Sequence, residues 1–139
     1  MTSLDHANHN VKVCNYLGKK EDYGDWVITS AFYAAVHFVR YLMIPCIIEG
    51  KEYIDFDELC RSQKGAGEGR HGFQRSYVQL KYPEIDFEYS KLHDMAVISR
   101  YRKYDYTREQ SNIAKEYMLA IKKYAETKKP SYTFQAGGL

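Results

Sequence analysis

The pattern of apolar and polar positions along the chain predicts helices throughout, and the longest apolar segment is the clearest of them. Residues 25–43 contain neither glycine nor proline, and their apolar side chains fall on two adjoining helical stripes. A third stripe, at spacings of three and four, carries mostly aromatic side chains with polar edges: Trp26, Ser30, Tyr33, His37 and Tyr41. We therefore predict a buried central helix with one side open to a cleft.

Shorter amphipathic segments surround this helix. Apolar residues recur with a helical period over residues 3–17, 70–81 and 84–104, and again after a capping box formed by Thr107 and Gln110. A short helix is predicted over residues 56–62, and no segment sustains the alternation of a strand. The predicted fold class is all-α, an up-and-down bundle of four to five helices, with one domain over residues 1–129 and a flexible tail over residues 130–139. The inward positions predicted on the helices around the central one are Leu4, Ala7, Val11, Cys14, Phe73, Tyr77, Leu80, Tyr89, Leu92, Met95, Ala96, Ser99, Ile113, Tyr117, Ala120, Ile121 and Tyr124.

Composition and charge exclude several classes of protein. The net charge of +2 over 139 residues is too small to indicate nucleic-acid binding by itself. Three cysteines without C-x-x-C spacing indicate neither a disulfide framework nor a zinc site, so a reducing, cytoplasmic location is expected. The apolar run over residues 26–48 has the length of a membrane span. A bilayer would have to accommodate the charged side chain of Arg40, which costs free energy, so no membrane association is expected. No cofactor and no metal are expected, because His6 and His9 lack a third ligand in register.

Histidines and arginines carry the candidate chemistry. His71 and Arg75 lie one turn apart on one predicted helix, and His37 lies one turn after Tyr33 on the open side of the central helix. Histidine can transfer protons near neutral pH, and arginine can hold a phosphate through paired donors. We predict that His37, His71, Arg75 and Arg100 form a catalytic group that points into one cleft. The alternative is structural: a core histidine bonded to a neighbour, and arginines in ordinary salt bridges.

The run from Arg100 to Arg108 interleaves four cations with tyrosines. Cations can bind phosphates while aromatic rings stack on unpaired bases, so this run indicates contact with RNA or a nucleotide. The same cations at the C-terminal end of a helix also complement the helix dipole, which is the structural alternative. The predicted nucleic-acid- or nucleotide-binding residues are Tyr33, Tyr101, Arg102, Lys103, Tyr104 and Arg108.

These segments, in this order, resemble the HEPN superfamily, and most closely its small prokaryotic members. The resemblance rests on the segment from Trp26 to His37, on H-x-x-x-R from His71 to Arg75, and on the sequence Ser-Arg-Tyr at residues 99–101. It implies a bundle of four to five helices, often dimeric, and in many members a metal-independent ribonuclease of toxin–antitoxin, abortive-infection or anti-phage systems. The usual arginine followed four to six residues later by histidine is missing, since residues 104–107 read YDYT.

Three functions remain open from the sequence. The first is a HEPN-like domain that binds RNA or a nucleotide without cleaving it, which the missing hallmark spacing favours. The second is a metal-independent endoribonuclease whose histidines and arginines are rearranged in space. The third is a protein-interaction or oligomerisation module with tyrosine-rich faces, for which a homodimer or another protein partner is expected.

Overall fold

The computed structural model describes residues 1–20, 22–63, 69–101 and 106–129, without the side chains of residues 100 and 101. These residues form six α-helices: α1 Ser3–Leu17, α2 Gly24–Met43, α3 Phe56–Gln63, α4 Gly69–Lys81, α5 Asp86–Tyr101 and α6 Arg108–Lys128. Two short strands, β1 Cys46–Ile48 and β2 Lys51–Tyr53, lie between α2 and α3, and a 3₁₀ turn, Pro83–Ile85, precedes α5. The predicted all-α helical bundle is confirmed. The predicted tail over residues 130–139 lies outside the described residues.

Helix α2 is the centre of the bundle and packs against α1, α5 and α6. Both predicted apolar stripes are buried, and Ile28 and Phe38 are fully enclosed. Complete burial of one such side chain contributes roughly 1.5–3 kcal/mol, so these stripes hold the surrounding helices together. The third stripe is only half-buried at His37 and Tyr41, as expected for a side facing a cleft, whereas Trp26 is 56% exposed. None of the described helices is long and apolar enough to cross a bilayer.

Side-chain caps determine where the first and last helices begin. The hydroxyl of Thr107 accepts a hydrogen bond from the Gln110 backbone N–H at 3.1 Å, and the Gln110 side chain accepts from the Thr107 N–H at 2.9 Å. The predicted capping box is thus confirmed. An equivalent box joins Thr2 and Asp5 at the start of α1. Caps of this kind each contribute about 1 kcal/mol, and the cap of α1 also places Thr2 at the edge of the cavity described below.

The hairpin of β1 and β2 is an element that the sequence analysis did not predict. Cys46 pairs with Tyr53 and Ile48 with Lys51 in antiparallel register. The two turn residues, Glu49 and Gly50, have φ of 51° and 81°, and a two-residue turn with positive φ at both positions suits the twist of a hairpin. The sequence pattern could not reveal this hairpin, because three-residue strands are too short to show sustained alternation.

Two of the predicted inward positions face solvent instead. Leu80 is 80% exposed and Ala120 is also exposed. In α4 the buried positions are Phe73, Gln74 and Val78, so the inward stripe includes a glutamine that a count of apolar residues assigns to the outside. In α6 small residues such as Ala114 and Ala125 lie on the buried side, where they permit close approach to α2. Both errors follow from judging the inward face by side-chain apolarity alone.

Candidate functional site

A cavity of about 710 Å³ lies beside the third stripe of α2. The start of α1, the second half of α2, the segment after β2, the start of α4 and the residue after α6 all contribute to its wall. Its polar and aromatic lining consists of Thr2, Ser3, His6, His37, Arg40, Tyr41, Asp55, Phe56, Asp57, Arg70 and Lys129. This volume is typical of a pocket that encloses a small ligand. We refer to this space as the cavity.

Arg40 is the most constrained cation of the cavity. Its Nε donates a hydrogen bond to Gln74 Oε1 at 2.9 Å, and Gln74 Nε2 donates in turn to the Val36 carbonyl at 2.9 Å. The guanidinium carbon lies 4.2 Å from the ring centroid of Phe56. Burial, together with the charge of Arg70, lowers the pKa of Arg40, although an arginine stays protonated. No carboxylate of a described residue forms an ion pair with Arg40.

Arg70 provides a second guanidinium on the cavity wall. Its Nη1 lies 2.8 Å from Asp57 Oδ1, and the two side chains are 58% and 45% exposed. An ion pair this exposed contributes only about 0–1 kcal/mol, because water screens it. Arg70 can therefore exchange Asp57 for another anion at little cost.

Two stacked imidazoles form another part of the cavity wall. The rings of His6 and His37 lie 4.9 Å apart at an interplanar angle of 23°. Burial, followed by the charges of Arg40 and His6, lowers the pKa of His37 to about 4. His37 is therefore neutral at pH 7. It offers an aromatic ring to a ligand without adding positive charge.

A second group of side chains, the His–Arg cluster, consists of His71, Arg75, His93 and Asp94 on α4 and α5. Arg75 Nη1 lies 2.9 Å from His93 Nδ1 and 3.0 Å from Asp94 Oδ1. The rings of His71 and His93 have centroids 6.2 Å apart, and both rings contact Phe32 of α2. Because a guanidinium only donates, His93 Nδ1 is the acceptor, and in the neutral ring the proton is on Nε2.

The structure distributes three of the four predicted catalytic residues over these two places. His71 and Arg75 lie together in the His–Arg cluster, while His37 lines the cavity with His6. The side chain of Arg100 lies outside the described residues. The catalytic role assigned to these residues stays a prediction.

The predicted binding residues are spread more widely. Tyr33 is half-buried on α2, one turn before His37. Arg108 is exposed at the start of α6, where its Nη1 donates to the Gly18 carbonyl at 3.3 Å. The side chain of Tyr101 and all of Arg102, Lys103 and Tyr104 lie outside the described residues. Their predicted contact with nucleic acid therefore stays a prediction.

Three residues of these sites were not predicted from the sequence: Arg40, Arg70 and Gln74. A charged residue inside an apolar helix was the available signal for Arg40, and it was interpreted only as an argument against a membrane span. Gln74 had no comparable signal, because its partners Val36 and Arg40 lie 38 and 34 positions away in the chain.

Among the described residues, no three His, Cys, Asp or Glu side chains lie close enough together to hold a metal ion. In comparisons with known proteins, no family model, no curated protein and no solved structure matches the chain. The geometry of the cavity and of the His–Arg cluster therefore provides the structural basis for a functional assignment.

Proposed function

We propose that this chain is a HEPN-like helical domain that binds a nucleotide or the end of an RNA strand in the cavity, without cleaving it. The observation that carries the proposal is Arg40, a half-buried guanidinium anchored by Gln74 and free of any described carboxylate partner. Desolvating a charge without a counter-ion is costly, and a phosphate in the cavity would supply the counter-ion. A role in a toxin–antitoxin or anti-phage defence system follows from the sequence resemblance alone.

The rest of the cavity supports the same ligand. Arg70 adds a second guanidinium whose only described ion-pair partner, Asp57, is partly exposed. The ring of Tyr41 and the stacked pair of His6 and His37 offer faces on which a base can stack. Cationic donors for a phosphate and aromatic faces for a base thus meet in one space.

Calorimetric titration with 5′-AMP and with adenosine tests the proposal. We expect 5′-AMP to bind at least about tenfold more tightly than adenosine, because only the nucleotide brings a phosphate. Arg70→Gln should weaken 5′-AMP binding about tenfold, or about 1.4 kcal/mol. Asp57→Asn should strengthen it, because this variant removes the carboxylate that competes for Arg70.

Arg61→Gln is the matched control, since Arg61 is an exposed arginine of α3 that is not part of the cavity wall. Equal affinities for 5′-AMP and adenosine would refute the proposal. An effect of Arg61→Gln as large as that of Arg70→Gln would show that the attraction is a general one between opposite charges.

The His–Arg cluster favours a second candidate function, a metal-independent endoribonuclease. Cleavage of RNA without a metal needs a base, an acid and a cation that stabilises the transition state. His71, His93 and Arg75 are groups of these kinds, and the two imidazole centroids are 6.2 Å apart. We expect purified protein to cut RNA in EDTA if this function holds, His71→Ala to abolish the cutting, and His9→Ala, on the exposed side of α1, to retain it. Intact RNA after incubation with wild type would eliminate this candidate.

A homodimer or another protein partner is the remaining proposal. The exposed rings of Tyr23 and Trp26, near the start of α2, are consistent with such a contact. Sedimentation equilibrium separates this proposal from the others. A concentration-independent monomer mass would count against a homodimer, and a dimer that nucleotides neither bind nor stabilise would favour an oligomerisation module.

A further inference from the structure

We infer that the cavity and the His–Arg cluster are two neighbouring phosphate subsites, so that the preferred ligand is a strand of two or more nucleotides rather than a mononucleotide. The inference rests on the proposed function of the cavity, and it adds the length of the ligand and a role for Arg75. Arg40 and Arg70 hold the first phosphate, and Arg75 holds the next.

Helix α4 joins the two places directly. Arg70 and Gln74, one turn apart, serve the cavity: Arg70 lines it, and Gln74 anchors Arg40. His71 and Arg75, also one turn apart, belong to the His–Arg cluster. Residues i and i+4 share one face of a helix, so the two pairs form adjacent stripes of α4. Arg70 and Arg75 are five residues apart, so they are separated by about 7.5 Å along the helix axis, at 1.5 Å per residue, and by about 140° around it.

Helix α2 also passes both subsites, in the reverse chain order, with the cluster before the cavity. Phe32 contacts the two imidazoles of the cluster, Val36 accepts the hydrogen bond of Gln74, and Arg40 reaches the cavity. These three residues are spaced by four, so they form one stripe of α2. Both helices therefore contribute side chains to both subsites.

The chemistry of the cluster suits a phosphate. Both described contacts of Arg75 use Nη1, which leaves the Nε and Nη2 donors of the planar guanidinium for phosphate oxygens. The Arg75 side chain is 31% exposed, so a ligand can reach it. Asp94 is the competing anion, and because its side chain is 57% exposed, water already screens its attraction to Arg75.

A length series of 5′-phosphorylated 2′-O-methyl oligoadenylates tests the inference, because the methyl group removes the hydroxyl that cleavage would require. Binding is measured by calorimetry for the mononucleotide, the dinucleotide and the trinucleotide. We expect the dinucleotide to bind at least about tenfold more tightly than the mononucleotide, as one further charge-assisted phosphate contact implies. Arg75→Gln should remove this gain and leave mononucleotide affinity unchanged.

Two further variants change the outcome in predictable directions. Asp94→Asn should enlarge the gain from mononucleotide to dinucleotide, whereas Arg70→Gln should weaken binding of every length. Arg61→Gln, in α3, is again the control and should leave the series unchanged. If Arg75→Gln fails to fold, the wild-type length series and Asp94→Asn decide the same question.

The possible failures are distinguishable. Tight mononucleotide binding with no gain for the dinucleotide would overturn the inference and leave the proposed function intact. Equal losses of mononucleotide and dinucleotide affinity in Arg75→Gln would also overturn it, because Arg75 would then act on the first subsite. Absence of binding at any length would refute the proposed function as well.

Discussion

Replacing Gln74 by leucine tests the buried polar contact that positions Arg40. Gln74 is completely buried, and its amide accepts from Arg40 and donates to the Val36 carbonyl. Leucine has a similar volume, so the change removes two hydrogen bonds without opening a large cavity. The variant therefore measures the polar contribution by itself.

The expected loss follows from the two bonds and the donor that remains. Each intramolecular hydrogen bond contributes about 0.5–1.5 kcal/mol, and a buried donor left without a partner costs about 1–3 kcal/mol. The Val36 carbonyl lies inside helix α2. Losing its hydrogen bond to Gln74 therefore costs less free energy than leaving the Arg40 N–H without an acceptor. We expect Gln74→Leu to lower the free energy of unfolding by about 2–4 kcal/mol.

Urea denaturation followed by circular dichroism measures this loss, and Gln79→Leu is the matched control. Gln79 lies on the same helix and is exposed, so its replacement should change stability by less than about 0.5 kcal/mol. The affinity for 5′-AMP should also fall in Gln74→Leu, because Arg40 loses its anchor. If the two glutamine variants unfold at the same urea concentration, the contact contributes nothing and the reasoning about Arg40 fails.

Three further predictions test the core, the histidines of the cavity and the basic run. Phe38→Ala should lower the free energy of unfolding by about 3–5 kcal/mol in the same assay, because removal of a fully buried ring leaves a void. An unchanged urea denaturation curve would contradict the burial of Phe38. Because the folded pKa of His37 is about 4 and lies below its usual 6.5, the unfolded chain binds more protons between these values, and stability should fall as the pH decreases from 6.5 to 4. His37→Gln should flatten that dependence while His9→Gln keeps it, and identical profiles would refute the assignment. Neutralising Arg102 and Lys103 together should weaken binding of single-stranded RNA and flatten its salt dependence by about 1.4 units, at about 0.7 per charge; unchanged affinity together with earlier melting would favour a role within the fold.

Elements whose signals are local could be predicted from the amino-acid sequence alone. The continuous apolar stripes of residues 25–43 required a buried helix, and burial of Ile28 and Phe38 agrees with that prediction. The capping box of Thr107 and Gln110 determined the start of α6, because both of its hydrogen bonds span three residues. The helical spacing of His71 and Arg75 likewise placed these two side chains on one face. Interactions within one or two turns of a helix are set by neighbouring residues, so a pattern in the sequence can reveal them.

Contacts between side chains of different helices could be learned only from the folded molecule. Arg40 and Gln74 are 34 positions apart, and Arg75 and His93 are 18 apart, so no local pattern connects them. The folded structure places His37 in the cavity with His6 and His71 in the cluster with His93. Gln74 shows most clearly what a sequence pattern cannot predict. A polar residue is buried only when another element supplies its hydrogen-bond partners, and those partners come together only once the chain has folded.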